Sequence, residues 1–136
     1  MLIIAIYLSG GHKTVKNILK RGAFTVSMGD AEHAAAWDYV GIKSGNSVPD
    51  KVARAGFHVT KSEHVDAPVI DELPLALECK LVSYGEETRL LTGEIVNVSV
   101  DERALEENGK LAVEKLHVIT FDYANHGYYV LGEKVA

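Results

Sequence analysis

The sequence predicts a mainly β domain: a small antiparallel β-barrel with helices inserted in its first half. Three observations support this fold class. Apolar and alternating stretches form about six strands, most of them antiparallel neighbours. The 3.6-residue spacing of amphipathic helices is confined to the chain before Gly56. The 136 residues suffice for one domain with a core but not for two, so residues 1–136 are treated as a single domain.

The first strand and the first helix are predicted from the apolar pattern at the start of the chain. Residues 1–8 are mostly Leu and Ile and predict a buried strand. Val15, Ile18 and Leu19 then follow with the i, i+3, i+4 spacing of an amphipathic helix. Gly22 stands where glycine commonly ends a helix. A strand therefore leads into a helix through a turn that contains two glycines.

Two further helices are predicted before the chain becomes mainly β. The second runs from residue 31 to about residue 40, with Asp30 as its N-cap and Gly41 at its end. The third opens at Ser47 and ends near Gly56. The three predicted helices thus all lie in the first half of the chain.

Strands dominate the rest of the prediction. Leu75–Tyr84 and residues 89–100 form a β-hairpin with a bulge at Gly93. The remaining elements are strands at residues 23–28, 57–61, 117–121 and 128–131, an extended link at 68–74 and a helical turn at 104–108.

Composition limits the classes of function. The net charge of −5 argues against general nucleic-acid binding, and no apolar run is long enough to span a membrane. Cys79 is the only cysteine, so a reducing, cytoplasmic compartment is expected. Residues 1–8 lack the features of a signal peptide. Because the chain opens directly on an apolar strand, we expect a fragment or a misassigned start.

The segment between the first strand and the first helix, Ser9-Gly10-Gly11-His12-Lys13-Thr14, predicts a phosphate site. The first turn of a helix has unpaired backbone N–H groups and a partial positive charge, which together attract anions. Lys13 and the Thr14 hydroxyl lie in that turn. Lys20 and Arg21 lie at the other end, where they complement the helix dipole without any ligand.

Other interpretations of this segment stay open. It is not a P-loop, because that motif needs Gly immediately before Lys-Ser/Thr, and here His12 precedes Lys13. An ordinary helix cap at Thr14 or a neighbour, with Lys13 solvated, is one alternative. A generic anion-binding domain is another.

Several segments are shared with one known family. They are His12-Lys13-Thr14 with Asn17-Ile18, Gly22-Ala23-Phe24-Thr25-Val26-Ser27, Asp38-Tyr39-Val40-Gly41 with Ser44-Gly45, Leu77-Glu78-Cys79, Gly93-Glu94-Ile95 and Tyr129-Val130-Leu131-Gly132. On these segments the sequence resembles the flavin reductase-like, FMN-binding split-barrel family, of the flavoredoxin type. The likeness extends from Ile6 to the end of the chain.

The resemblance implies a Greek-key antiparallel split barrel that binds FMN, usually as a homodimer. It implies a flavoprotein oxidoreductase that passes electrons between NAD(P)H or a protein donor and an acceptor. In such proteins the His-Lys-Thr segment lies against the flavin phosphate. The implied FMN-binding residues are therefore Lys13 for charge, Thr14 for its hydroxyl, His12 for backbone N–H groups, and Ser9 and Asn17 as further candidates.

The chain departs from the resembled family at two points. Members carry strands before the one equivalent to residues 1–8, including a polar stretch whose backbone contacts the flavin ring, and this chain starts after them. Gly10 and Gly11 stand where an Arg/Pro-Ser type of turn is expected. The alternative function is therefore a non-catalytic flavin- or anion-binding remnant of the same fold.

Other conspicuous side chains have structural explanations. Trp37 is able to border a flavin, but a Trp among alanines more often docks a helix on the core. Cys79 is expected to be a small buried hydrophobe. Glu78 and Glu94, on neighbouring strands, are expected to face solvent with Lys80 as their counter-charge.

No metal or hydrolytic site is predicted. His58 and His64 lie six residues apart near Asp66, a spacing that fits neither a helical i, i+4 metal pair nor a zinc motif. No Ser-His-Asp arrangement follows from the sequence. A flavin enzyme does not need one, because the cofactor supplies the redox chemistry.

Overall fold

The computed structural model describes residues Met1–Ala136 as a mainly β structure with short helices. Its strands are β1 (Leu2–Tyr7), β2 (Ala23–Ser27), β3 (Val59–Lys61), β4 (Pro68–Ile70), β5 (Leu75–Tyr84), β6 (Leu90–Val100), β7 (Ile119–Asp122) and β8 (Gly127–Val130). Its helices are α1 (Lys13–Arg21), α2 (Ala34–Ile42), α3 (Lys51–Arg54) and α4 (Val113–Leu116), with a 3₁₀ turn at Glu102–Ala104. None of these helices is long and apolar enough to cross a membrane.

A four-stranded antiparallel sheet of order β1-β6-β5-β2 forms the centre of the fold. The β5–β6 hairpin is the one predicted from the sequence, and β5 has the predicted boundaries. The pairs β3–β4 and β7–β8 form separate two-stranded ribbons. Strands predominate and the longer helices lie in the first half, so the predicted fold class is confirmed.

The largest apolar cluster lies between this sheet and α1. Its buried members are Ile18, Phe24, Cys79 and Leu91. The predicted burial of Cys79 is confirmed, since this residue has no exposed surface. The predicted glycine stop is also confirmed: Gly22 has a φ of 70° and its N–H donates to the Ile18 carbonyl at 2.8 Å. The apolar face of α1 therefore anchors the helix on the sheet.

Gly93 is not a bulge, and the prediction of one there is wrong. The register of the β5–β6 hairpin shifts instead just before Cys79 and just before Ser83. Gly93 is regularly paired with Leu81, and a Cβ atom at this position would overlap the Phe24 ring. Glycine is needed here because the aromatic ring packs directly on the backbone.

The first strand is not buried, contrary to the prediction for residues 1–8. β1 is an edge strand of the sheet, paired with β6 alone. Leu2 and Tyr7 are 68% and 77% exposed, while Ile4 and Ile6 pack against the apolar cluster. Only one face of β1 is therefore covered.

The helices after β2 also differ from their predicted limits. α2 begins at Ala34 and contains Gly41, so that glycine does not end the helix. Asp30 does not cap α2 itself; its carboxylate accepts from the His33 N–H at 3.1 Å and so stabilises the turn before the helix. α3 is a single turn followed by Gly56, whose φ is 87°.

The last two strands do not finish the central sheet as predicted. They form the β7–β8 ribbon, which lies against α2. The Tyr128 hydroxyl donates to the Asp38 carboxylate at 2.9 Å, and the His126 Nε2 atom lies 3.2 Å from the same oxygen. Burial and this hydrogen bond together raise the pKa of Tyr128. The hairpin is therefore tied to α2 by these side chains, and the Ile119 N–H also donates to the Gly29 carbonyl, just after β2, at 3.2 Å.

Candidate functional site

The turn between β1 and α1 is held by contacts to the end of the sheet. The Ser9 carbonyl accepts from the His12 N–H at 3.2 Å. The Tyr84 hydroxyl, from the end of β5, donates to the Leu8 carbonyl at 2.7 Å. Gly10 lies so close to this hydroxyl that a Cβ atom would stand 3.3 Å from it. The first glycine of the turn therefore packs against a fixed tyrosine.

Three successive backbone N–H groups at the start of α1 have no acceptor in the protein. They belong to Lys13, Thr14 and Val15, and His12, the N-cap residue, makes no side-chain hydrogen bond to them. Val15 is 1% exposed, and buried N–H groups in proteins nearly always have a partner. Free N–H groups at the start of a nine-residue helix form an arrangement that attracts anions.

The five residues predicted to bind a cofactor lie together at this helix end. Ser9 and Lys13 are half-buried, and His12, Thr14 and Asn17 are exposed. Their side chains make no hydrogen bond or ion pair with another residue of the protein, so no side chain caps α1. The polar groups of these side chains are therefore available to a ligand or to solvent.

The charge around this helix end is positive although the whole chain carries −5. No acidic residue lies in the first turn of α1. Lys13 and Lys16 have no carboxylate within ion-pair distance, whereas Arg21 at the opposite end approaches Asp66 at 3.4 Å. A negatively charged ligand at the start of α1 would therefore meet unneutralised positive charge.

The loop after α2 also reaches this turn, a contact that the sequence did not indicate. The Asn46 side-chain amide donates to the Gly11 carbonyl at 3.0 Å. Gly45 packs against the side chain of Lys13, at a position where a Cβ atom would stand 3.2 Å from its Cδ atom. The shared Ser44-Gly45 segment was the one sequence signal near this loop, and it carried no information about contacts.

Two surface clefts lie away from the start of α1. One, of about 260 Å³, is lined by charged residues that include Asp30, Asp101, Arg103 and Lys115. A second, of about 290 Å³, lies between the β4 region and the end of β6. Neither is lined by a residue of the Ser9 to Asn17 segment, so the start of α1 belongs to neither of these two clefts.

The aromatic residues of α2 make packing contacts within the fold. The Trp37 ring packs on Gly29, where a Cβ atom would lie 3.1 Å from the ring. The backbone N–H of Trp37 donates to the His33 carbonyl at 2.9 Å, and the His33 ring lies near Phe57. Trp37 therefore docks α2 on the residues that follow β2, and Tyr39 lies half-buried on the same helix.

Glu78 does not face solvent, and the prediction for it is wrong. It is 2% exposed and accepts hydrogen bonds from the Ser62 hydroxyl at 2.6 Å, the Ser99 hydroxyl at 2.8 Å and the Asn97 amide. Burial by itself raises the pKa of Glu78, but these bonds and nearby His64 lower it overall. The alternation of β5 correctly placed Glu78 and Cys79 on opposite faces of the strand. It gave no information about the β3–β4 loop, which covers Glu78.

Glu94 differs from Glu78 in its surroundings. It is half-buried and lies opposite Lys80 in the β5–β6 register, so the predicted counter-charge is on the neighbouring strand. The two glutamates have different surroundings and do not form a catalytic pair.

His58, His64 and His33 lie in separate surroundings. His58 lies 3.0 Å from Glu72, and His64 is exposed beside the covered Glu78. The one group of metal-type donors is Asp30, Glu32 and His33, where the His33 Nδ1 atom lies 2.7 Å from the Asp30 carboxylate. The sequence pattern gives no sign of this group. Its Asp30 carboxylate and His33 imidazole already bind each other.

Comparison with known proteins assigns the class. Residues 2–132 match the flavin reductase like domain, so the chain belongs to that family. The structure is similar to flavoredoxin of Desulfovibrio vulgaris (Miyazaki F), with a TM-score of 0.91 and 38% identity over 98% of this chain and 72% of the flavoredoxin. It is also similar to flavoredoxin from Methanosarcina acetivorans, with a TM-score of 0.88 and 26% identity over 98% of this chain and 71% of that protein.

A sequence relative and a further solved structure are also similar to this chain. An uncharacterized protein of Aquifex aeolicus (strain VF5) is 32% identical over 111 residues, which are 78% of this chain and 55% of that protein. This chain thus spans little more than half of that relative. Nitrilotriacetate monooxygenase component B from Bacillus cereus has a TM-score of 0.78 and 25% identity over 98% of this chain and 70% of that protein. The fold is the flavin reductase-like split barrel, and family membership supports flavin binding and oxidoreductase-type chemistry.

Proposed function

We propose that this protein is an FMN-dependent oxidoreductase domain that binds the phosphate of FMN at the start of α1. The observation that carries the proposal is the row of three free backbone N–H groups at Lys13, Thr14 and Val15. Phosphate is a suitable ligand, because each N–H is able to donate to one of its oxygens and the helix dipole favours its charge. Family membership supports a flavin as the molecule that carries this phosphate.

The side chains around these N–H groups add charge and further hydrogen bonds. Lys13 supplies an unpaired ammonium, and Thr14 supplies a hydroxyl in the same turn. The His12 N–H already donates to the Ser9 carbonyl at 3.2 Å, so the free N–H groups that follow it, rather than its own, are available to the phosphate. Ser9 and Asn17 extend the polar surface on either side. Charge-assisted hydrogen bonds from such groups are stronger than neutral ones, which favours FMN over riboflavin.

The redox chemistry belongs to the flavin rather than to the chain. When bound, FMN accepts or gives a hydride or single electrons, and the protein binds and orients it. A reduced nicotinamide or a protein is the proposed electron donor. Because no side chain in this site has to act as an acid or a base, the absence of carboxylates from the first turn of α1 fits the proposal.

The decisive experiment is a titration of the full chain with FMN and with riboflavin, followed by quenching of flavin fluorescence. We expect saturable FMN binding at micromolar or lower concentration and much weaker binding of riboflavin, which differs only by the phosphate. Equal affinity for the two flavins contradicts a phosphate site. No binding of either contradicts flavin binding by this chain.

The proposed assembly is a homodimer. Leu2, Ile3 and Tyr7 are 68%, 49% and 77% exposed on β1, whose outer edge has free backbone hydrogen-bonding groups. Exposed apolar edge strands pair readily with other chains. Light scattering after size-exclusion chromatography should give twice the mass of 14.8 kDa, and a stable monomer contradicts this. The buried free thiol of Cys79 agrees with the proposed reducing, cytoplasmic location.

A second candidate is a flavin- or anion-binding module without turnover. It is favoured by the start of α1, which offers anion-binding groups while both of the clefts described above lie away from it. Oxidation of NADH and NADPH by the FMN-loaded chain distinguishes the two candidates. Multiple turnovers support the oxidoreductase, and tight FMN binding without turnover with either nicotinamide supports the module.

A further inference from the structure

We propose that Gly45 and Asn46, in the loop between α2 and α3, position the phosphate site and that Asn46 determines its preference for a phosphate-bearing flavin. This inference rests on the proposed function, because it assigns a role relative to the same site. Asn46 is a positioning residue: it acts on the ligand through the turn that precedes α1.

The first contact fixes a peptide group next to the free N–H groups. The Asn46 Nδ2 atom donates to the Gly11 carbonyl at 3.0 Å. The other half of that peptide, the His12 N–H, donates to the Ser9 carbonyl at 3.2 Å. Both polar atoms of the Gly11–His12 peptide are therefore engaged, one residue before the first free N–H at Lys13.

This bond matters because a carbonyl oxygen and a phosphate oxygen repel each other. Gly11 is flanked by Gly10, and glycines rotate more freely than other residues. Without the Asn46 amide, the Gly11 carbonyl loses the one side-chain donor that holds it. The turn would then adopt orientations in which this oxygen faces the anion. Asn46 thus reduces the cost of arranging the site when phosphate binds.

The second contact concerns the lysine that faces the anion. A Cβ atom at Gly45 would lie 3.2 Å from the Cδ atom and 3.4 Å from the Cβ atom of Lys13. The carbon chain of Lys13 therefore rests directly on the backbone of this loop, while its ammonium has no partner in the protein. The same two residues of the loop thus restrain both the carbonyl before the site and the lysine within it.

The loop is itself held in place, so these contacts are not those of a loose segment. The Lys51 ammonium donates to the carbonyls of Val40 at 2.7 Å and Lys43 at 2.9 Å, and it thereby joins the end of α2 to α3. The Val48 N–H donates to the Ser44 carbonyl at 2.8 Å. The loop is closed on both sides of Asn46, which makes it a suitable support.

The test compares FMN with riboflavin in the Asn46→Ala variant of the full chain. Loss of one positioning hydrogen bond should raise the Kd for FMN by about three- to tenfold, while the Kd for riboflavin stays unchanged. A purely structural role would weaken both flavins alike, so the FMN-to-riboflavin ratio is the diagnostic quantity. Asn125→Ala is the matched control, since it removes an exposed asparagine whose amide bonds only within the β7–β8 turn, to Asp122.

The outcomes separate this inference from the proposed function. If the unchanged protein binds FMN and riboflavin equally, the phosphate site fails and this inference fails with it. If the unchanged protein prefers FMN and Asn46→Ala keeps the same ratio, only the role of Asn46 is refuted. Gly45→Ala tests the lysine contact in the same assay: an unchanged FMN affinity would overturn the role of Gly45.

Discussion

Removal of the Glu78 side chain should destabilise the fold strongly, although sequence patterning places this residue at the surface. The carboxylate accepts three side-chain hydrogen bonds, from Ser62, Asn97 and Ser99. Ser62 in turn accepts from the backbone N–H groups of His64 and Val65 at 2.9 and 3.1 Å. Glu78 therefore fastens the β3–β4 loop to the central sheet, together with the packing of Val65 and Ala67 on Ala23.

The expected magnitude follows from these contacts. A hydrogen bond to a charged group contributes about 1.5–3 kcal/mol, and bonds within one network do not add fully. Glu78→Ala removes three such bonds, and the donors of Ser62, Asn97 and Ser99 lose this acceptor in a covered part of the protein. We therefore expect the free energy of unfolding to fall by about 3–5 kcal/mol, a large part of the total stability of a domain of this size.

Urea unfolding followed by circular dichroism measures this change, with Glu94→Ala as the matched control. Glu94 lies on the same hairpin and is half-buried, and its carboxylate accepts no hydrogen bond from the protein. Its replacement should change the free energy of unfolding by less than about 1 kcal/mol. The reasoning is refuted if the two variants unfold at the same urea concentration.

The difference between the unchanged protein and Glu78→Ala should also depend on pH. The pKa of Glu78 is lowered in the folded protein, so its contribution is fully present above the ordinary glutamate pKa of about 4.3. It is lost as the pH falls through the lowered value, because the folded state must then take up a proton that breaks the network. The stability difference should therefore be constant near neutral pH and shrink in strong acid. A difference that grows in acid contradicts this sign.

Three further predictions concern other parts of the molecule. Lys13→Ala should weaken FMN binding by about 1–3 kcal/mol, and Lys20→Ala, at the other end of α1, should leave the Kd from the flavin titration unchanged; equal effects would exclude a local phosphate contact. Gly93→Ala should destabilise the fold by about 1–3 kcal/mol in thermal unfolding, because the added methyl group meets the Phe24 ring; an unaltered melting temperature contradicts this packing. Burial raises the pKa of the Cys79 thiol, so a thiol reagent should label it slowly in the native state and rapidly in urea.

The local elements were largely predictable from residue spacing. The alternation of β5 and the glycine stop of α1 depend on neighbours within a few residues, so the sequence contains the information directly. The start of α2 was placed too early, because Asp30 resembles a cap in sequence while its carboxylate serves the turn before the helix. Gly93 looked like a bulge for the same reason: its real constraint is Phe24, which lies far away in the chain.

The candidate site was partly predictable. Lys13 and Thr14 were named because a glycine turn between a strand and a helix exposes helix N–H groups, whereas His12, Ser9 and Asn17 were added from the resemblance to the flavin reductase-like family. The structure adds which N–H groups are free, and that the Lys13 side chain rests on a loop more than thirty residues further along the chain. Asn46 could not be identified from the sequence, since an exposed asparagine in a loop has no distinguishing pattern.

The sequence by itself determined the mainly β class, the β5–β6 hairpin, the position of α1 and the glycine-containing turn before it, since each depends on residues close together in the chain. Only the tertiary structure decided that β1 lies at an edge, that β7 and β8 form a separate ribbon, and that Glu78 is covered. A strand pattern records which residues share a face, but it carries no record of what packs on that face or beside that edge. Those neighbours come from distant segments, and they determine both the burial of Glu78 and the contact of Asn46 with the turn before α1.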